Sequence, residues 1–226
     1  QRDRAGGRFM TEASGTDRTR VRRIRDRGRY DLESIRSVLD ANQIGHLAYV
    51  VDGEPRVIPT LYMRRGDYVY FHGNRQAAFL RHLAEGGLAA LSVMTTDGIV
   101  VARSGFHCSM NYRSVVVFGR GEAVPAEMHD EILDAFVEAL IPGHSAAVRA
   151  PTKQELAATA AVRMPIEEGS TKVRTGGAVD AEGDLDADVW AGVIPLYTAV
   201  GELVPNPDLK PGIGVPAYIG EYTPPA

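Results

Sequence analysis

Short runs of alternating apolar and polar residues fill most of this chain, and a helical spacing of apolar residues stands out in two places. Asp31 predicts a cap for a helix running to about Ala41, with Leu32, Ile35, Val38 and Leu39 on one face. Ile44 to Val51 reads as a strand, Asp52-Gly53 as a hairpin turn, and Arg56 to Met63 as the returning strand. Arg65-Gly66-Asp67 makes the next turn, before a third strand from Tyr68 to Phe71. Gln76 to Leu83 has helical composition and stops at Gly86-Gly87. Leu88 to Thr95 and Gly98 to Arg103 then read as paired strands, and Ser114 to Val124 as a long one.

The second clear helix spans Met128 to Leu140, with Ile132, Leu133, Phe136, Val137 and Leu140 inward. Thr152 and Glu155 are spaced as a capping box for a short helix to Ala160. A strand from Val162 to Ile166 continues through Lys172 and Val173, a Gly- and Asp-rich loop fills 176–188, and order returns from Trp190 to Val200. Antiparallel turns, close strand spacing and few long helices predict a mainly β fold, a small barrel with helices outside; the periodicity fits an α+β sandwich equally. Residues 1–29 read as a flexible tag and basic arm, with Met10 as the natural start and Arg18, Arg20, Arg22, Arg23, Arg25, Arg27 and Arg29 clustered. Residues 30–204 are expected to form one domain, and 205–226, which hold most of the remaining Pro and Gly, an extended tail packed over the surface or onto a neighbour.

A formal net charge of −4 argues against a general nucleic-acid binder. Cys108 is the one cysteine, so an internal disulfide is excluded and a reducing cytoplasm is the expected compartment. No apolar run reaches the roughly 18 residues of a spanning helix, so no membrane partner is expected.

Candidate chemistry is sparse. His72 ends a strand beside Gly73, where a ligand can approach the backbone; its imidazole suits a proton donor, a covalent attachment point or an axial metal ligand, or simply a hydrogen-bonded strand end. Arg56 and Arg113 open apolar strands and either snorkel outward or fork onto phosphate oxygens. Arg75 and Arg81 flank the helix after His72, whose free N–H groups favour an anion. His107-Cys108 lacks a helix start to activate a thiolate, so a buried structural cysteine is expected. Asp180, Glu182, Asp184, Asp186 and Asp188 alternate like a calcium loop, but Leu185 replaces the turn glycine and Ala191 the closing Glu, leaving a solvated loop and no metal site. Gly119-Arg120-Gly121 is not followed by the helix that a dinucleotide fingerprint needs. Trp190 fits the core or an edge stacked on a planar cofactor.

Several strings in series resemble the pyridoxamine 5′-phosphate oxidase-like FMN-binding split-barrel superfamily, and more narrowly its nitroimidazole-resistance (Nim-type) flavin-nucleotide-binding proteins: residues 44–49, 55–59, 70–73, 111–119, 149–152 with 155–156, 170–174, and 190–195. The resemblance implies a six-stranded antiparallel split β-barrel and a homodimer with FMN in clefts between subunits. It places flavin contacts at Ile58, Pro59, Thr60, His72, Gly73 and Asn74, with His72 as the candidate catalytic proton donor. Arg56, Arg75, Arg113, Lys172 and Arg174 would meet phosphate or reduced flavin, and Trp190 the ring. The family's phosphate-holding pair falls on Ala77 and Ala78, so either Arg75, Arg81 or an arm arginine substitutes, or FMN binds weakly, or the cleft holds something else. An FMN-dependent oxidoreductase of a small organic compound, with nitro compounds among the candidates, is the leading expectation. A haem-binding barrel with His72 or His107 as axial ligand, and a non-catalytic ligand-binding dimer, are the alternatives.

Overall fold

The computed structural model describes residues 16–225; the expected start at Met10 lies outside them. The arginine-rich stretch within them is docked. Arg18 pairs with Glu168 at 2.7 Å and lies over the Phe118 ring, and β1 (Gly28–Arg29) adds to a sheet edge. Asp31 then caps α1 (Leu32–Asp40): its carboxylate accepts the Ser34 N–H at 2.7 Å, a bond that holds its pKa below the ordinary value. Ile35, Val38 and Leu39 are buried, as their spacing predicts.

β2 (Ile44–Val51) and β3 (Glu54–Leu61) form a hairpin whose turn residues Asp52 and Gly53 both take positive φ. The expected continuation to Met63 is interrupted at Tyr62, where the chain changes sheet. Tyr62 is buried and its hydroxyl donates to the Leu39 carbonyl at 2.5 Å. β4 (Met63–Arg65) and β5 (Tyr68–Asn74) begin a second sheet, followed by α2 (Ala78–Ala84).

β6 (Leu88–Val101) is one 14-residue strand, not the expected pair. Asp97-Gly98 looks like a turn, but Gly98 does not adopt the positive φ that a tight hairpin turn requires; a register shift between Thr96 and Gly98 makes a bulge instead. β7 (Ser109–Arg120) starts earlier than its apolar run and stops at Gly121, after which β8 (Glu122–Ala123) joins the other sheet. Gly119 and Gly121 are there for close packing: a Cβ would come to 2.4 Å from the Pro165 carbonyl oxygen and 2.5 Å from the Leu83 backbone, respectively.

α3 (His129–Leu140) buries Ile132 and Phe136, while Leu140, expected inward, is exposed at the helix end. α4 (Lys153–Ala158) has the expected capping box, which with Arg149 holds the Glu155 carboxyl down to about 2. β9 (Thr159–Pro165) and β10 (Glu168–Arg174) replace the single expected strand and belong to different sheets. β11 (Gly192–Pro195) pairs with the far half of β6, and α5 (Ala217–Gly220) follows a long irregular segment.

The sheets run β1-β10-β7-β6-β2-β3, with β11 also on β6, and β4-β5-β9-β8; every pairing is antiparallel and neither sheet closes. This is the expected mainly β split barrel with flanking helices. Its main core joins α1 and α2 to Leu47, Phe71, Leu91, Val93, Val115, Val117, Val162 and Met164. A second cluster, Met63, Tyr70, Val124, Ile132, Phe136 and Ala161, lies under α3 on the opposite face of the four-stranded sheet. Alternation along β5 thus sends Phe71 to one core and Tyr70 toward the other, and it is this alternation that places His72. Among the described residues no helix is long and apolar enough to cross a membrane.

Candidate functional site

The expected cofactor residues fall into two groups. The first comprises the second half of β3 and the end of β5, strands that touch each other. Ile58 is half-buried against the main core, Pro59 is exposed, and Thr60 is half-buried. Arg56 is exposed and pairs with Glu54 at 2.8 Å on its own strand. His72 sits on β5 opposite Ala161, its ring centroid 4.2 Å from that of Phe136 on α3. Its Nδ1 is buried and has no hydrogen-bond partner. Burial pushes its pKa below the ordinary imidazole value, so the ring is neutral at neutral pH. Such an orphaned nitrogen is costly in an apolar setting unless a ligand satisfies it.

The turn after His72 is held by its own polar groups. Asn74 accepts the Gln76 N–H on its side-chain oxygen at 2.8 Å, and Arg75 donates to the Ala157 carbonyl at 3.0 Å. Ala77 caps α2 without a side-chain bond. Next to this turn lies a cavity of about 530 Å³, with an apolar floor of Leu80, Val124, Ala160, Ala161 and Val162 and a rim that includes Arg75, Arg81 and His129. His129 is tied to the Thr159 carbonyl at 3.1 Å and to Asp130 at 3.2 Å. His72 does not line this cavity; its cross-strand partner Ala161 does.

The second group lies three and four strands away. Through the register, Arg56 stands level with Tyr49, Ala89 and Gly119, whereas Arg113 is six residues further along β7. At about 4.8 Å per strand and 3.3 Å per residue, Arg56 and Arg113 are on the order of 20 Å apart along the sheet. Arg113 grips Asp97, the bulge residue, through Nε and Nη2 at 3.0–3.2 Å. Arg174 is buried, donating to Asn111 at 2.5 Å and to the Gly177 carbonyl at 3.2 Å, while Asn111 in turn donates to the Gly176 carbonyl at 3.0 Å. Lys172 is half-buried between Ser114 and Gly28. Trp190, for which a core place was one expectation, is 63% exposed, its ring lying over Gly192.

Three residues of this second end depart from expectation or were missed. Cys108 is exposed rather than buried, because a 3-10 turn lifts it out; its Sγ accepts the Ala102 N–H at 3.4 Å. Asp180, expected in a solvated loop, has a side chain only 2% exposed, and its carboxylate accepts from the Arg103 backbone and guanidinium at 2.9 and 2.8 Å. Asp97 gave no signal beyond a turn-like dipeptide, since a bulge anchored by an ion pair across strands is invisible to local pattern. Among the described residues no group of side chains could hold a bare metal ion.

The model of the family described as pyridoxamine 5′-phosphate oxidase matches residues 31–173. The chain belongs to that family. Two solved structures match this family member over most of both chains at 38% identity. The flavocytochrome Anf3 from Azotobacter vinelandii has a TM-score of 0.86, covering 94% of this chain and 99% of its own. The FAD and heme binding protein from Mycobacterium smegmatis has a TM-score of 0.82, covering 86% and 96%. A 5-nitroimidazole antibiotic resistance protein from Bacteroides thetaiotaomicron shares the fold at 15% identity, with a TM-score of 0.53 over 65% of this chain and 87% of its own. Curated proteins offer no match.

Proposed function

We propose that this family member is a flavoprotein oxidoreductase that also carries a haem, and that His72 is the haem's axial ligand. The observation that carries the reading is the buried, unpartnered Nδ1 of His72. His72 would hold the iron through a neutral imidazole, which loses no proton on binding; its ring is packed on Phe136 and lies outside the cavity lining, so that packing would have to open for a haem to reach it. The two relatives at 38% identity are described as a flavocytochrome and as an FAD and heme binding protein, which supports both groups together.

For the flavin, Ile58, Pro59, Thr60, Gly73 and Asn74 offer backbone along one rim. A dinucleotide is favoured over FMN. One of the relatives at 38% identity is described as an FAD and heme binding protein, and with Ala77 and Ala78 supplying no cation the phosphates would be met by Arg75 and Arg81 on the cavity rim. Bound flavin supplies hydride or single-electron chemistry; the protein's part is to orient it, exclude water and set the local charge. The separation of Arg56 from the second group favours a homodimer in which the half-buried Lys172 and the exposed Trp190 of one copy complete the groove of the other, while Arg113 and Arg174 brace that end from within. A flavin alone, with His72 as proton donor to a small organic substrate, is the narrower reading.

The absorption spectrum of the purified protein is the test. Flavin bands and a haem Soret band together are expected, with released flavin identified as FAD. Protein that is colourless and ignores added FAD, FMN and hemin refutes the reading.

A further inference from the structure

Every residue from Ile194 to Ala217 is exposed. Among the described residues, no hydrogen bond or ion pair joins residues 197–215 to the rest of the chain; only two local turns, at Asn206–Leu209 and Lys210–Ile213, occur within it. Yet both ends are fastened. The Leu196 N–H donates to the Asp97 carbonyl at 3.1 Å, and beyond the segment the Tyr218 hydroxyl meets His144 Nδ1 at 3.0 Å. The composition is not that of a disordered linker, which is polar and highly charged. Tyr197 is 85% exposed and Val204 88%, with Val200, Leu203, Leu209, Ile213 and Val215 also outward.

The remaining chain has a matching deficit. The outer face of the larger sheet and its β2–β3 hairpin expose Ile44, Val50, Val57 and Met94. The accessible surface totals 14,957 Å², against roughly 10,000 Å² for a compact monomer of this mass. Even if the residues before Thr16 carried the full surface of an unfolded chain, roughly 2,400 Å², about 2,500 Å² would remain in excess. That amount, taken from each of two copies, reaches the range buried by obligate homodimers. Two unpartnered apolar surfaces on one chain are also what a two-fold interface uses, since each patch meets its complement on the other copy.

We infer that residues 197–215 form a strap that crosses onto a second copy of this chain and locks the dimer. The inference rests on the homodimer of the preceding reading and adds what holds it closed. Sedimentation velocity on the full chain, purified with whatever cofactor it retains, tests it. The comparison is between wild type and a triple variant, Tyr197→Asp, Val204→Asp and Ile213→Asp, whose side chains are exposed in the single chain. A wild-type dimer, and a variant with unchanged thermal unfolding at high dilution but a dimer dissociation constant at least about tenfold weaker, are expected. A photo-crosslinker in place of Val204 should yield covalent dimers. A wild-type dimer whose variant dissociates like wild type, or a crosslinker that reacts only within its own chain, overturns the strap alone. A monomeric wild type overturns both the strap and the shared-site reading.

Discussion

The two ends of this barrel treat polar groups in opposite ways. At the far end, around the Asp97 bulge, each named guanidinium is held within the chain: Arg113 by Asp97, Arg103 by Asp180, and Arg174 by Asn111 and the Gly177 carbonyl, although Arg174 Nε and the neighbouring Thr171 Oγ1 are buried without a partner. At the β3–β5 end, His72 buries a ring nitrogen that nothing answers. Folding alone explains the first arrangement, because buried polar groups are normally paired. It does not explain the second. Arg174 is held by its other guanidinium nitrogens, so its one open Nε leaves it scaffolding, whereas no side-chain bond holds the His72 ring, which makes it the stronger candidate for a ligand.

The largest effect should come from removing the side chain that ties the far end together. Arg174→Ala leaves the Asn111 side-chain oxygen and the Gly177 carbonyl without that donor and is expected to lower unfolding free energy by about 2–3 kcal/mol in urea titration. Proteolysis within 176–188 should rise with it, because Arg174 and Asn111 tether that loop. A loss below 0.5 kcal/mol would show that the far end is not the scaffold described.

Asp97→Asn should cost less, about 1 kcal/mol, since the pair with Arg113 is partly exposed. The same measurement in high salt should shrink the difference, as expected of a screened pair.

His72→Leu should do least to the protein without cofactor. Removing an unpartnered buried nitrogen leaves stability at pH 7.5 within about 1 kcal/mol of wild type. The pH profile should change more. His72 has a lowered pKa in the folded state, so between its ordinary value near 6.5 and that lower value the unfolded chain binds the extra proton. Its contribution is full above the ordinary value and is lost as pH falls through the window. Wild type should weaken from pH 7 toward acid more than His72→Leu does in paired urea melts. Identical slopes would mean that the ring is not buried in solution.

Much of the fold was legible because it is written locally. Asp31 and the Thr152–Glu155 box cap helices through side chains three residues away, and Asp52-Gly53 sets a hairpin by its own φ values. Failures came where distant contacts override a local sign. Leu88–Thr95 and Gly98–Arg103 were read as two paired strands, but they are one strand bulged at Asp97, because β7 pairs along both halves and β11 along the second. One expected strand from Val162 to Val173 became two because Ile166 turns back to bond the Asp67 carbonyl. For the site, His72 was visible as a lone histidine beside a glycine. The commitment of Arg174 to its loop was not, since Asn111 lies 63 positions away. Trp190 to Val200 was read as ordered and the chain from Pro205 as an extended tail packed over the surface or onto a neighbour; only Gly192–Pro195 forms a strand, and every residue from Ile194 to Ala217 is exposed.

The most direct measurement is a hemin titration followed by visible absorption, run on wild type, His72→Leu and His107→Leu. These histidines stand at opposite ends of the comparison, His107 on the turn beside the Arg103–Asp180 pair. The account expects a ligated-haem Soret band in wild type and in His107→Leu, and its loss in His72→Leu with flavin absorption retained. A band that survives in His72→Leu, or vanishes in His107→Leu, would contradict it.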